Sequence, residues 1–147
     1  MLDGARIGED DVVLDAGTGI GTLARAALGR VGADGMVIAL DPSVDLLDEL
    51  RESCADPRLS FLVGDAAVVP LPDASLDVVL GRSVLGSARS APGVVVELRR
   101  GLRPGGGVSL CEAVDLEDVD EWLTEAGFVE VDIGRGAAGT FVLGRTP

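Results

Sequence analysis

The fold of this chain is decided by the stretch Val13-Leu14-Asp15-Ala16-Gly17-Thr18-Gly19-Ile20-Gly21. A short apolar run typical of a buried strand leads into a Gly-x-Gly-x-Gly loop (residues 17–21, the glycine loop), and apolar residues at helical spacing follow. Glycine tolerates positive φ and lets a ligand lie against bare backbone. The stretch therefore favours a ligand-binding turn between a strand and a helix, although tight turns also use glycine for packing alone.

Short β-rich runs alternate with helical patterns along the 147 residues. We predict strands at 12–15, 36–40, 59–63, 76–80, 108–113, 128–133 and 140–143, and helices at 20–31, 43–54, 92–102 and 116–126. The alternation predicts right-handed crossovers and a doubly wound, mostly parallel α/β sheet covered on both faces. We expect the last two strands to form an antiparallel pair around a turn at 134–139. The length suits a single domain, residues 1–147.

Composition argues against several classes of partner. The net charge is −13 and all 12 basic residues are arginine, so the surface repels phosphate backbones and nucleic acid is a poor candidate. Histidine is absent and Cys54 and Cys111 lie far apart, so we predict no metal site. No apolar run reaches the roughly 18 residues of a membrane span. We expect a cytoplasmic protein without a membrane partner.

Two acidic residues follow predicted strands and extend the glycine-loop pattern. Asp41 ends the second strand, and Asp65 follows the third in Val63-Gly64-Asp65-Ala66. A carboxylate at the first position can accept hydrogen bonds from ribose hydroxyls, and one at the second can accept from an exocyclic amine. Each residue also has an ordinary interpretation, as a helix-flanking or turn aspartate. Together with the glycine loop they predict a nucleoside pocket.

The chain resembles the class I S-adenosylmethionine-dependent methyltransferases over roughly residues 10–147. The resemblance rests on the glycine loop, Asp41, Gly64-Asp65-Ala66, Leu71-Pro72-Asp73-Ala74-Ser75-Leu76-Asp77-Val78-Val79 and Leu102-Arg103-Pro104-Gly105-Gly106-Gly107, which occur in the family's order. It is closest to the branch that includes quinone-biosynthesis and related small-molecule methyltransferases. It implies a Rossmann-like, seven-stranded sheet whose last strand is antiparallel.

The resemblance also implies roles for individual residues. Asp15 and the glycine loop would hold the methionine part of S-adenosylmethionine, Asp41 the ribose, and Asp65 with Ala66 the adenine. The full set of expected cofactor residues is Asp15, Gly17, Thr18, Gly19, Gly21, Asp41, Pro42, Asp65, Ala66 and Gly81. On the acceptor side we expect Arg82 and Ser83, with Glu112 and Asp115 facing the same cleft. No catalytic residue is assigned.

The sequence departs from the family's usual pattern at the segments that would bind the methyl acceptor. The stretch from Arg82 to Ser87 lacks the histidines that many relatives carry there, and the chain is short before the first strand and after the fifth. We therefore expect an open acceptor site, which a homodimer or a partner chain would cover at residues 81–90. Three hypotheses stay open: methyl transfer to a small-molecule acceptor, with S-adenosylhomocysteine as the second product; an S-adenosylmethionine-binding module with weak or no catalysis; and a nicotinamide-dependent oxidoreductase.

Overall fold

The computed structural model describes residues 2–137 and 139–147. Its strands are β1 (Val12–Ala16), β2 (Met36–Asp41), β3 (Leu59–Val63), β4 (Leu76–Arg82), β5 (Leu102–Glu112), β6 (Val129–Gly136) and β7 (Gly139–Arg145). Its helices are α1 (Leu2–Ala5), α2 (Thr22–Leu28), α3 (Val44–Ser53), α4 (Ala91–Gly101) and α5 (Val119–Glu125). Within this part of the chain, no helix is long and apolar enough to cross a membrane.

The strands form one seven-stranded sheet in the order β3-β2-β1-β4-β5-β7-β6. Strands β1 to β5 pair in parallel, and β7 runs antiparallel to both β5 and β6. This confirms the predicted doubly wound sheet with an antiparallel last strand. Because β2 and β3 lie on one side of β1 and β4 on the other, strand order reverses at β1, where ligands of such sheets bind.

Alternation along β1 produces a separate core on each face of the sheet. Leu14 packs with Val95 and Leu98 of α4 and with Leu123 of α5. Its neighbour Val13 packs on the opposite face, with apolar residues of α2 and α3. Successive side chains of a strand point to opposite faces, so a strand that is apolar at consecutive positions is buried from both sides.

The start of α2 differs from the prediction. The helix begins at Thr22 rather than at residue 20, because Gly19 and Gly21 have φ values of 54° and 81°, outside the helical region. Ile20 is accordingly 64% exposed and belongs to the loop. The helix also ends three residues before the predicted end, at Leu28, with Gly29 as its C-cap.

The second half of the chain contains more strand than predicted. β5 begins at Leu102, which pairs with Leu76, and continues through the Pro-Gly-Gly segment with a register irregularity on its β4 side. The hairpin of β6 and β7 extends to Gly136 and Gly139, so most of the predicted turn at 134–139 is strand; residue 138 of that turn lies outside the described residues. α5 starts at Val119 instead of residue 116. The short helix α1 was not predicted.

Candidate functional site

The carboxyl ends of β1 to β4 surround one cavity of about 540 Å³. The glycine loop, the end of β2, the segment after β3 and the segment after β4 all contribute to its wall. Seven of the expected site residues line it: Gly17, Asp41, Pro42, Asp65, Ala66, Arg82 and Ser83. Residues separated by more than 60 positions in sequence therefore meet at one place, as the topology of the sheet requires.

The glycine loop combines two different requirements for glycine. Gly17 and Gly19 have positive φ; a Cβ added at Gly19 would meet nothing within 4 Å, and one at Gly17 would touch only Val84, at 3.5 Å. Their backbone therefore borders open space. A Cβ on Gly21 would lie 2.3 Å from Cδ1 of Leu50 in α3, so Gly21 is needed for packing.

Asp15 is the buried acid beneath the glycine loop. Its Oδ2 accepts hydrogen bonds from Oγ1 of Thr18 at 2.7 Å and from the backbone N–H of Ala24 at 2.9 Å. It thereby satisfies a free N–H in the first turn of α2, whose N-cap, Gly21, has no side chain to do so. Burial raises the pKa of Asp15 to about 6, although hydrogen bonds from Thr18 and Ala24 and the charge of Arg82 oppose the increase.

The other carboxylate oxygen of Asp15, Oδ1, is buried and has no hydrogen-bond partner among the described residues. A small pocket of about 90 Å³ lies at this point, lined by Asp15, Thr18, Gly19 and Arg82 among others. Unpaired buried acceptors are costly and rare in folded proteins. This oxygen is thus a position where a positively charged or hydrogen-bond-donating ligand group would be stabilised.

Asp41 joins β2 to the glycine loop. Its side chain is buried; Oδ2 accepts from the N–H of Gly19 at 2.8 Å and Oδ1 accepts from the N–H of Ser43 at 2.9 Å. A carboxylate offers about four lone-pair sites, so each oxygen keeps capacity for one more donor. The neighbouring Ser43 is the N-cap of α3, since its Oγ accepts from the N–H of Leu46 in the first turn.

Asp65 is exposed at the rim of the cavity, where its Oδ1 accepts from the N–H of Ala67 at 2.8 Å. The loop that follows is held by Arg100 of α4, which donates to the carbonyls of Val69 and Leu71 at 2.9 and 3.0 Å. Glu97, one turn earlier, pairs with Arg100 and accepts from the N–H of Val69. The sequence analysis missed this cluster, whose only sequence signal is the three-residue spacing of Glu97 and Arg100.

The acceptor side differs from expectation at Glu112. This residue is fully buried: Oε1 accepts from the N–H groups of Val84 and Leu85 at 3.0 and 3.1 Å, and Oε2 accepts from Gly86 at 3.0 Å. It does not line the cavity. It instead supports the loop that joins β4 to α4 (residues 83–90, the β4–α4 loop) from below.

Two further expected residues lie away from the cavity surface. Asp115 is exposed near the β6–β7 hairpin, where it accepts from Nε of Arg135 at 3.1 Å and from Oγ1 of Thr140 at 3.3 Å. Gly81 is buried, and a Cβ there would lie 2.8 Å from Cγ2 of Val84. Gly81 therefore lets the β4–α4 loop fold back over the strand. The loop also brings Ser87, Arg89 and Ser90 to the cavity; the sequence analysis placed residues 81–90 at the acceptor site but did not single out these three.

Comparison with known proteins agrees with this geometry. A family described as "Methyltransferase domain" matches residues 13–106, from β1 into β5. The chain belongs to this family. The resemblance to the class I S-adenosylmethionine-dependent methyltransferases is thereby confirmed, and S-adenosylmethionine is the methyl donor of that class.

Curated relatives of this methyltransferase domain act on different acceptors. It is 28% identical to an arsenite methyltransferase from Halobacterium salinarum, with 88% of this chain and 40% of the relative aligned. It is 37% identical to a malonyl-[acyl-carrier protein] O-methyltransferase from Xylella fastidiosa, with 65% and 32% aligned. The chain thus spans about a third to two fifths of the length of these relatives.

Solved structures share the fold of this methyltransferase domain over nearly its whole length. One is a chain of the complex between the Haloferax volcanii Trm112 methyltransferase activator and a candidate methyltransferase, with a TM-score of 0.86, 24% identity, and 99% of this chain and 86% of that chain covered. Another is an S-adenosylmethionine-dependent methyltransferase from Aquifex aeolicus, with a TM-score of 0.84, 20% identity and coverage of 98% and 86%.

Proposed function

We propose that this domain binds S-adenosylmethionine across the cavity and transfers its methyl group to a small-molecule acceptor held against the β4–α4 loop. One observation carries the proposal. The cavity joins the glycine loop and the strand-end acids Asp41 and Asp65 to a separate wall formed by residues 82–90. A cofactor that lies across the carboxyl ends of β1, β2 and β3 has its reactive end over β1, beside that wall.

The residues present fit this cofactor. The unpaired Oδ1 of Asp15 lies where the positive charge of the methionine ammonium or the sulfonium would be stabilised. The open backbone at Gly17 and Gly19 suits a ligand in direct contact with the chain. The remaining lone pairs of Asp41 suit the two ribose hydroxyls, and Asp65, at the far rim, suits the adenine amine.

When bound, S-adenosylmethionine would supply a sulfonium methyl group whose carbon an acceptor lone pair attacks in line, while the carbon–sulfur bond breaks and S-adenosylhomocysteine leaves. The chain's own contribution is then to orient the two reactants and to keep water from the methyl group. The glycine loop and Asp41 fix one reactant, and the β4–α4 loop, supported by Glu112, fixes the other. This division of work requires no histidine, lysine or tyrosine, which the chain lacks.

Calorimetry tests the cofactor assignment directly. S-adenosylhomocysteine should bind the wild-type chain with one-to-one stoichiometry, and NAD should not. Binding of NAD in preference to S-adenosylhomocysteine would instead support the oxidoreductase hypothesis. A screen of small-molecule acceptors, read by formation of S-adenosylhomocysteine, then separates methyl transfer from cofactor binding alone.

A second proposal is that another chain completes the acceptor site, and that the isolated domain binds the cofactor with weak or no catalysis. Ser83, Ser87, Arg89 and Ser90 all line the cavity while exposed to solvent, so its acceptor wall is open. One structural neighbour occurs in a complex with a methyltransferase activator. Light scattering with and without S-adenosylhomocysteine tests for a second copy, and specific activity that rises with protein concentration would support it.

A further inference from the structure

The cavity is lined by two arginines that form no hydrogen bond or ion pair with the described residues, although the charge of Arg82 acts on Asp15. Within the described residues, six of the twelve arginines form ion pairs within 4 Å, among them Arg58, Arg100 and Arg103. By contrast, neither Arg82 nor Arg89 donates a hydrogen bond or forms an ion pair in residues 2–137 and 139–147, and both line the cavity of about 540 Å³. In a chain with 25 acidic residues, two unpaired guanidinium groups in one cavity call for an explanation.

We propose that the domain recognises its acceptor through an anionic group, a carboxylate or a phosphate, which Arg89 binds together with Arg82. The inference rests on the proposed function and narrows its acceptor class. A guanidinium presents its N–H donors in a planar fork that matches two oxygens of a carboxylate or a phosphate. Two such forks at one wall bind a small anion far better than they bind a neutral molecule of the same shape.

The charges of the cavity are separated along the sheet. Of its acids, Asp41 ends β2 and Asp65 follows β3, whereas Arg82 ends β4 and Arg89 follows it, on the other side of β1. The acidic half fits a cofactor that carries a sulfonium and an ammonium group. The arginine half is therefore left for the second reactant, whose charge should be opposite to that of the cofactor.

The two arginines have different places in this arrangement. Arg82 lines both the large cavity and the small pocket beside Asp15, so it lies between the cofactor and the acceptor. Arg89 lines the large cavity, beside Ser90, whose Oγ accepts from the N–H of Gly93 and keeps its own hydrogen to donate. Arg89 is thus the specific anchor of the acceptor anion, and Arg82 supports it from the cofactor side.

The test uses the full chain saturated with S-adenosylhomocysteine, so that the cofactor's own carboxylate is already in place. Inorganic phosphate and acetate are titrated in, with acetamide as the neutral match for acetate, and binding is followed through the backbone amide resonances of residues 83–90. The variants are Arg89→Gln, Arg82→Gln and, as a control, Arg30→Gln. Arg30 is a surface residue paired with Asp3, far in sequence from the cavity wall, and its loss changes the net charge equally.

We expect saturable binding of phosphate or acetate, but not of acetamide. Arg89→Gln should weaken it about tenfold or more, the effect of removing a hydrogen bond between charged groups, with the affinity for S-adenosylhomocysteine unchanged. Arg30→Gln should bind like the wild type. The inference is overturned if neither anion binds saturably, if acetamide binds as well as acetate, or if Arg89→Gln binds both anions normally. If the wild type does not bind S-adenosylhomocysteine, the proposed function is wrong. The anion titration is then carried out without S-adenosylhomocysteine, and the same results support or overturn the inference.

Discussion

Removing the carboxylate of Glu112 should detach the β4–α4 loop from the sheet. In Glu112→Ala, three backbone N–H groups lose their acceptor, two of them, on Val84 and Leu85, in buried hydrogen bonds. An unsatisfied buried donor costs about 1–3 kcal/mol, so the free energy of unfolding should fall by about 2–6 kcal/mol. In Glu112→Gln the remaining oxygen still accepts from Val84 and Leu85, but an NH₂ group now faces the N–H of Gly86 and cannot accept from it. The free energy of unfolding should therefore fall by only about 1–3 kcal/mol.

Urea denaturation of both variants at neutral pH measures these differences. Glu117→Ala is the matched control, because it removes one negative charge from an exposed residue whose side chain makes no hydrogen bond or ion pair with the described residues. It should change stability by less than about 0.5 kcal/mol. If Glu112→Ala costs no more than Glu112→Gln, or no more than the control, Glu112 does not support the loop and the reasoning is wrong.

Three further predictions concern the cofactor side. Asp41→Ala should weaken S-adenosylhomocysteine binding by about 1–3 kcal/mol in calorimetry; unchanged affinity would exclude the ribose role. Gly19→Val should abolish that binding while the chain still folds by circular dichroism, because a Cβ there meets only open space and the positive φ costs a side chain about 1–2 kcal/mol. Gly21→Ala should lower the melting temperature through its clash with Leu50. Normal binding by Gly19→Val would show that the glycine loop serves packing only. Because burial raises the pKa of Asp15 from 3.8 to about 6, its neutral form is favoured in the folded chain, so the contribution of Asp15 to stability is fully present below pH 4 and is lost as pH rises through about 6. Asp15→Asn should remove this decline, about 3 kcal/mol, in denaturation curves compared with wild type from pH 4 to 7; parallel pH profiles would contradict the assignment.

The cofactor half of the site could be predicted because its signals are local. The glycine loop is contiguous, and Asp41 and Asp65 stand at fixed positions after strands that the apolar pattern reveals. Sheet topology then brings these segments together without further information. The expected roles of these residues in binding remain predictions.

The acceptor half could not be predicted because its contacts are long-range. Glu112 meets Val84, Leu85 and Gly86 across 26 to 28 positions, and nothing in the local sequence marks a carboxylate that serves backbone N–H groups. Arg89 lies in a loop without periodicity, so its place in the cavity follows only from the folded chain. The early start predicted for α2 failed for a conformational reason, since a glycine can continue a helical pattern in sequence while its φ lies outside the helix.

The support that Glu112 provides has a consequence for how this domain diverges. It binds main-chain N–H groups, which every residue except proline carries, so the attachment does not depend on the side chains that the loop presents. Ser83 and Arg89, which face the cavity, can therefore be exchanged in descendants while the loop keeps its course over the sheet. New acceptor preferences are then accessible by single substitutions on an inherited backbone, and proline at positions 84 to 86 is the change that this lineage cannot accept.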